Sequence, residues 1–65
     1  MAAIEIRLEA DDSANGLIQP GDVFADDPDF GVVVEAYRLG DRLYVKTDLE
    51  YDYLGLPSTV VVERA

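Results

Sequence analysis

Two strand-like runs separated by Gly40-Asp41 constrain this chain more than any other feature. Phe30 to Leu39 and Arg42 to Asp48 are rich in β-branched and aromatic residues, and a Gly-led two-residue turn between such runs specifies a β-hairpin. The turn length also sets the register. Leu39 falls opposite Arg42, Tyr37 opposite Tyr44 and Glu35 opposite Lys46. An aromatic pair and an opposite-charge pair on one face are the contacts that stabilise antiparallel strands. The other face carries Val32, Val34 and Ala36 against Leu43, Val45 and Thr47 and is the expected core face.

The rest of the chain follows the same short-strand rhythm. Residues 3–9 alternate, with Ile4, Ile6 and Leu8 on one face and Glu5, Arg7 and Glu9 on the other, as a half-buried strand does. The polar cluster Asp11 to Gly16 ends it, and Gln19-Pro20-Gly21-Asp22 turns again before a short strand at Val23-Phe24-Ala25. Asp26-Asp27-Pro28-Asp29 reads as a loop, because proline removes a donor and restricts the residue before it. Residues 48–53 alternate between acids and apolar groups, with one helical turn expected near Tyr51 to Leu54. Ser58 to Glu63 is the last strand. Five strands with turns every 8–12 residues predict one all-β domain over residues 1–65. The expected form is a small five-stranded antiparallel barrel with at most one short helical turn.

A chain of 65 residues buries only about 60% of its unfolded surface. With no Cys and no His, neither a disulfide nor a Cys/His metal clip can reinforce it. Barrel closure, a partner surface or the solvent must supply what the core lacks. The same absence removes most hydrolase, redox and zinc chemistry, and Ser13, Ser58 and Thr59 have no histidine to activate them. An enzyme is not expected, nor is a cofactor.

Fourteen acids against five basic residues, only one of them Lys, give a net charge of −9. Such a surface repels nucleic acid at ordinary salt. It resembles the halophile pattern, in which molar salt shortens the Debye length to about 3 Å and screens the repulsion. No apolar run reaches the roughly 20 residues of a membrane span, and no signal-peptide pattern is present, so a cytoplasmic location is expected.

Gly21-Asp22-Val23-Phe24, Phe30-Gly31-Val32-Val33-Val34 and Asp41-Arg42-Leu43-Tyr44-Val45 together resemble an SH3-like barrel of the KOW and Tudor type. Gly40 to Val45 is similar to a segment of the RNA-polymerase-interacting domain of transcription-repair coupling factors. The resemblance implies a binding module for proteins or nucleic acids, with no catalytic residues to carry over.

The hairpin register places Tyr37, Tyr44, Arg42 and Lys46 on one solvent face together with Val33 and Leu39. Aromatics beside arginine are enriched at the centres of protein interfaces and also form stacking platforms for single strands. The competing account is a cross-strand pair that only stabilises the hairpin. Asp26, Asp27 and Asp29 are oxygen donors of the kind hard cations take, but their spacing does not match a calcium loop, and a solvated acidic turn is expected without metal. Asp48, Glu50 and Asp52 recur every second residue, so an extended backbone would align three carboxylates along one edge. Such a row would mimic phosphates or discourage edge pairing. The expected function is a non-catalytic interaction module that binds a protein partner or a second copy of itself through the aromatic and basic hairpin face. The alternatives are a nucleic-acid-associated module working at high salt and an acidic mimic that inhibits a DNA-binding protein.

Overall fold

Six strands order the chain in the computed structural model, which describes residues 2–65: β1 (Ala2–Leu8), β2 (Val23–Phe24), β3 (Val33–Leu39), β4 (Arg42–Thr47), β5 (Tyr51–Gly55) and β6 (Ser58–Arg64). Two 3₁₀ turns, Asp12–Ala14 and Pro28–Phe30, interrupt the loops on either side of β2. The strands form two antiparallel sheets of three, ordered β1-β6-β2 and β3-β4-β5.

The architecture is all-β, as expected, but it differs from the expected barrel in three respects, the first being two short helical turns where at most one was expected. The helical turn anticipated at Tyr51 to Leu54 is instead β5, a sixth strand. Its alternation explains this: Tyr51 and Tyr53 reach across to strand β4 on one side, while Leu54 packs against the core on the other. The sheets also do not close. They join on one side, where Val23 bridges Val32, Gly21 N–H donates to Val33 O at 2.8 Å and Val33 N–H donates to Asp22 O at 2.9 Å. On the opposite side β5 and β6 are not paired to each other. There, the Tyr53 N–H donates to the Asp52 carboxylate at 2.8 Å instead of to a strand, and Pro57 has no N–H to offer.

The hairpin forms with Leu39, Tyr37 and Glu35 opposite Arg42, Tyr44 and Lys46, the register read from its side chains. Gly40 takes a positive φ of 61° while Asp41 does not, the pattern of a II′-type turn whose twist suits the flanking strands. Nearer the start of β3 the alternation breaks. Val33 lies opposite Thr47, yet the next pair is Glu35 with Lys46, so Val34 is the extra residue of a β-bulge. The bulge reverses the expected faces: Val33 is buried at 1% exposure, whereas Val32 and Val34 remain 41% and 47% exposed. The strand entry is held by Asp48, which accepts the Val32 N–H on its side chain at 2.8 Å and returns its own N–H to Val32 O at 3.0 Å. Gly31, at φ 107°, passes so close that a Cβ there would overlap Asp48 Oδ1.

The core lies between the two sheets. Ile6 and Leu8 of β1, Phe24 of β2 and Val62 of β6 meet Val33, Leu43 and Val45 from the hairpin, with Ala14 and Ile18 closing one end. The alternation read over residues 3–9 is the one observed, with Ile4, Ile6 and Leu8 facing Val62, Val60 and Ser58. Asp22 is buried among these groups, and Arg64 donates to both of its oxygens, from Nε at 2.9 Å and Nη2 at 2.8 Å. Gln19 N–H adds a third bond at 2.9 Å, and Arg64 also reaches Leu17 O at 3.0 Å. The Arg64 bonds hold the Asp22 carboxyl below its ordinary value of 3.8, against the opposing effect of burial. A chain with no Cys and no His thus ties its 17–22 loop to its last strand by ionic hydrogen bonds.

Candidate functional site

Period-two alternation along β3, β4 and β5 delivers all four tyrosines of the chain to one face of the second sheet. Tyr37, Tyr44 and Tyr53 lie in cross-strand register, and Tyr51 enters diagonally. The rings of Tyr37 and Tyr44 stack at 5.5 Å with 18° between their planes. Tyr44 is tilted against Tyr53 at 5.7 Å and against Tyr51 at 6.0 Å. The hydroxyls of Tyr37 and Tyr51 are hydrogen-bonded to each other. Each aromatic contact is worth about 0.5–1.5 kcal/mol beyond its buried area, so the platform is held in shape before any partner arrives.

Two cations frame it. The Arg42 guanidinium sits 4.5 Å above the Tyr53 ring centroid, and Lys46 lies between Glu35 and Tyr51 in the ladder. The other three cations are engaged elsewhere: Arg7 with Glu9 at 3.0 Å, Arg38 with Asp12 at 2.6 Å and Arg64 with Asp22 at 2.8 Å. Among the described residues, Arg42 and Lys46 alone form no ion pair with a carboxylate. The Arg42 charge is further favoured by a side-chain hydrogen bond with Tyr44 and by the neighbouring Tyr53. The Tyr51 hydroxyl is pushed up to about 12, first by its hydrogen bond with Tyr37. The Tyr51 hydroxyl thus stays neutral and Arg42 stays cationic at any ordinary pH.

Of the six residues expected on this face, Tyr37, Tyr44, Arg42, Lys46 and Leu39 lie on it, with Leu39 exposed at its end. Val33 does not. The bulge at Val34 turns it into the core, so no partner can reach it. Tyr51 and Tyr53 belong to the face but were not expected there. Their spacing was the available signal, since two aromatics separated by one residue on a strand share a side.

The acids are dispersed differently from the expectation. The extended row over Asp48, Glu50 and Asp52 does not form, because the chain turns between β4 and β5. Thr47 Oγ1 accepts the N–H groups of Leu49 and Glu50, and Thr47 N–H donates to Glu50 O at 2.8 Å. Asp48 is spent on the Val32 N–H. Asp52 points to the core side of β5, opposite Val45, and stands with Asp26 and Asp27 around a groove between the sheets. Asp29 is exposed on the 3₁₀ turn beyond it.

No family model, no curated protein and no solved structure matches this chain.

Proposed function

We propose that this protein is a non-catalytic interaction module that binds a protein partner through the Tyr37/Tyr44/Tyr51/Tyr53 face. We read its six-stranded, one-side-open architecture as a variant of the SH3-like small β-barrel of the KOW and Tudor type. One observation carries the functional reading: four tyrosines and the two cations not paired to carboxylates share one sheet face of an otherwise strongly acidic molecule. Tyrosine and arginine dominate interface hot spots because they bury large area with few rotatable bonds and keep a polar end for orientation. A face that serves only to stabilise the hairpin would not need three of its four rings more than a third exposed.

The partner is expected to offer an apolar surface with carboxylates at its rim to meet Arg42 and Lys46. A second copy of the chain qualifies only where salt screens the net charge of −9. The test pairs the native protein with a Tyr37→Ser/Tyr51→Ser/Lys46→Glu variant of unchanged circular dichroism. Light scattering in dilute and molar KCl reads self-association, and affinity capture from the native host at native salt reads other partners. Species bound by the native face and lost by the variant support the proposal. A strict monomer whose captured proteins are the same for both overturns it.

The same rings and cations also suit base stacking, which keeps a nucleic-acid partner as the second reading. Titration of labelled single-stranded oligonucleotides across a salt series decides it, and no binding at any ionic strength removes it.

A further inference from the structure

On the side where β5 and β6 do not pair, a cavity of about 260 Å³ opens between the sheets. Its floor is Phe24, Phe30, Val45, Leu54 and Val60, and its rim carries the carboxylates of Asp26, Asp27 and Asp52. Phe24 and Phe30 prop each other at 5.7 Å, which keeps one wall in place. We propose that this groove is a second binding site, for an extended segment of a basic protein that inserts one aliphatic side chain between flanking lysines or arginines.

Size selects the anchor. Small-molecule sites span about 300–1,000 Å³, and a groove below that range accepts a single large side chain. The floor offers such a side chain only apolar contacts. Charge selects its neighbours: the described residues place no cation in an ion pair with Asp26, Asp27 or Asp52. Asp52 accepts the Tyr53 N–H, which orients its carboxylate without neutralising it. An incoming ammonium or guanidinium therefore meets three carboxylates with unused acceptor positions. The bounding walls β5 and β6 are both extended, so the mouth follows the line of an extended peptide. This site shares only Tyr53 with the cationic tyrosine face and takes a partner of opposite charge.

The test uses a fluorescein-labelled, end-capped peptide with one central leucine flanked by two lysines on each side, followed by fluorescence anisotropy. A molecule of net charge −9 attracts any cationic peptide, so the decisive comparison holds charge constant. Replacing the central leucine with glycine is expected to weaken binding by about tenfold or more, as loss of an anchored side chain implies. Asp26→Asn/Asp27→Asn is expected to weaken it markedly, while Glu5→Gln/Asp41→Asn, with the same net charge and away from the groove, is expected to have little effect. Amide chemical shifts in the native protein should move at Phe24, Leu54 and Val60. A Tyr37→Ser/Tyr51→Ser variant, which keeps the net charge, should bind this peptide as the native protein does, so failure of the face reading leaves the groove result standing. Equal affinity for the leucine and glycine peptides, equal losses in the two charge variants, or shifts centred on Tyr37 and Tyr44 would overturn the proposal.

Discussion

Two side chains set the ionic behaviour of the fold from opposite ends of the pH scale. Asp22 is buried, and its carboxyl is held below 3.8 chiefly by Arg64. Its stabilising effect is therefore present above the ordinary carboxylate value and is lost as pH falls through the lower folded value. Asp22→Ala is expected to cost about 3 kcal/mol near neutral pH, at the lower end for a broken buried pair because Arg64 can turn back to water. Urea denaturation should show that difference shrinking below about pH 4. Tyr51 works in the other direction. Its folded value near 12 lies above the ordinary 10, so its contribution is complete below pH 10 and disappears as pH rises toward 12. Ultraviolet titration should follow this late phenol, and Tyr37→Phe should return it toward 10.

Strand β3 carries the clearest lesson at the level of elements. The bulge makes Val33 a core residue between two exposed valines, and the expected mutational pattern follows. Val33→Ala should lower stability by about 2 kcal/mol, as loss of a fully buried valine's methyl groups implies, while Val34→Ala should stay within about 0.5 kcal/mol. Equal effects at the two positions, measured as shifts in the urea midpoint, would contradict the bulge. The turn end of this hairpin was legible in the sequence because Tyr37/Tyr44 and Glu35/Lys46 are chemically distinct pairs that only one register satisfies. Its other end was not legible, because Val32-Val33-Val34 fit either face equally well and the deciding contacts come from Gly31 and Asp48. The strand nature of Tyr51 to Gly55 was obscured for a related reason: its partners, Tyr44 above all, lie on another strand and not among its sequence neighbours. On the candidate face, the aromatic and basic core around Tyr44 was readable from the hairpin alone, whereas Tyr51 and Tyr53 required the third strand.

For the molecule as a whole, charge and closure act together. Three carboxylates find ion-pair partners among the described residues, and the remaining acids keep their full charge uncompensated by a cation, although Asp11, Asp48 and Asp52 accept backbone N–H groups. The melting temperature, followed by circular dichroism, is accordingly expected to rise as KCl increases from millimolar to molar concentrations, through screening of self-repulsion. A melt indifferent to salt would count against self-repulsion between the acids as a limit on stability. The open side of the fold adds a consequence of its own through Tyr53. That residue packs on Tyr44 and beneath Arg42 on the tyrosine face, and it also lines the groove between β5 and β6. An occupant of the groove that shifts this ring also shifts the platform under Arg42. Thermodynamic reciprocity then requires a ligand on the face to alter affinity in the groove by the same factor. Tyr53 is thus the residue through which two oppositely charged partners would sense each other.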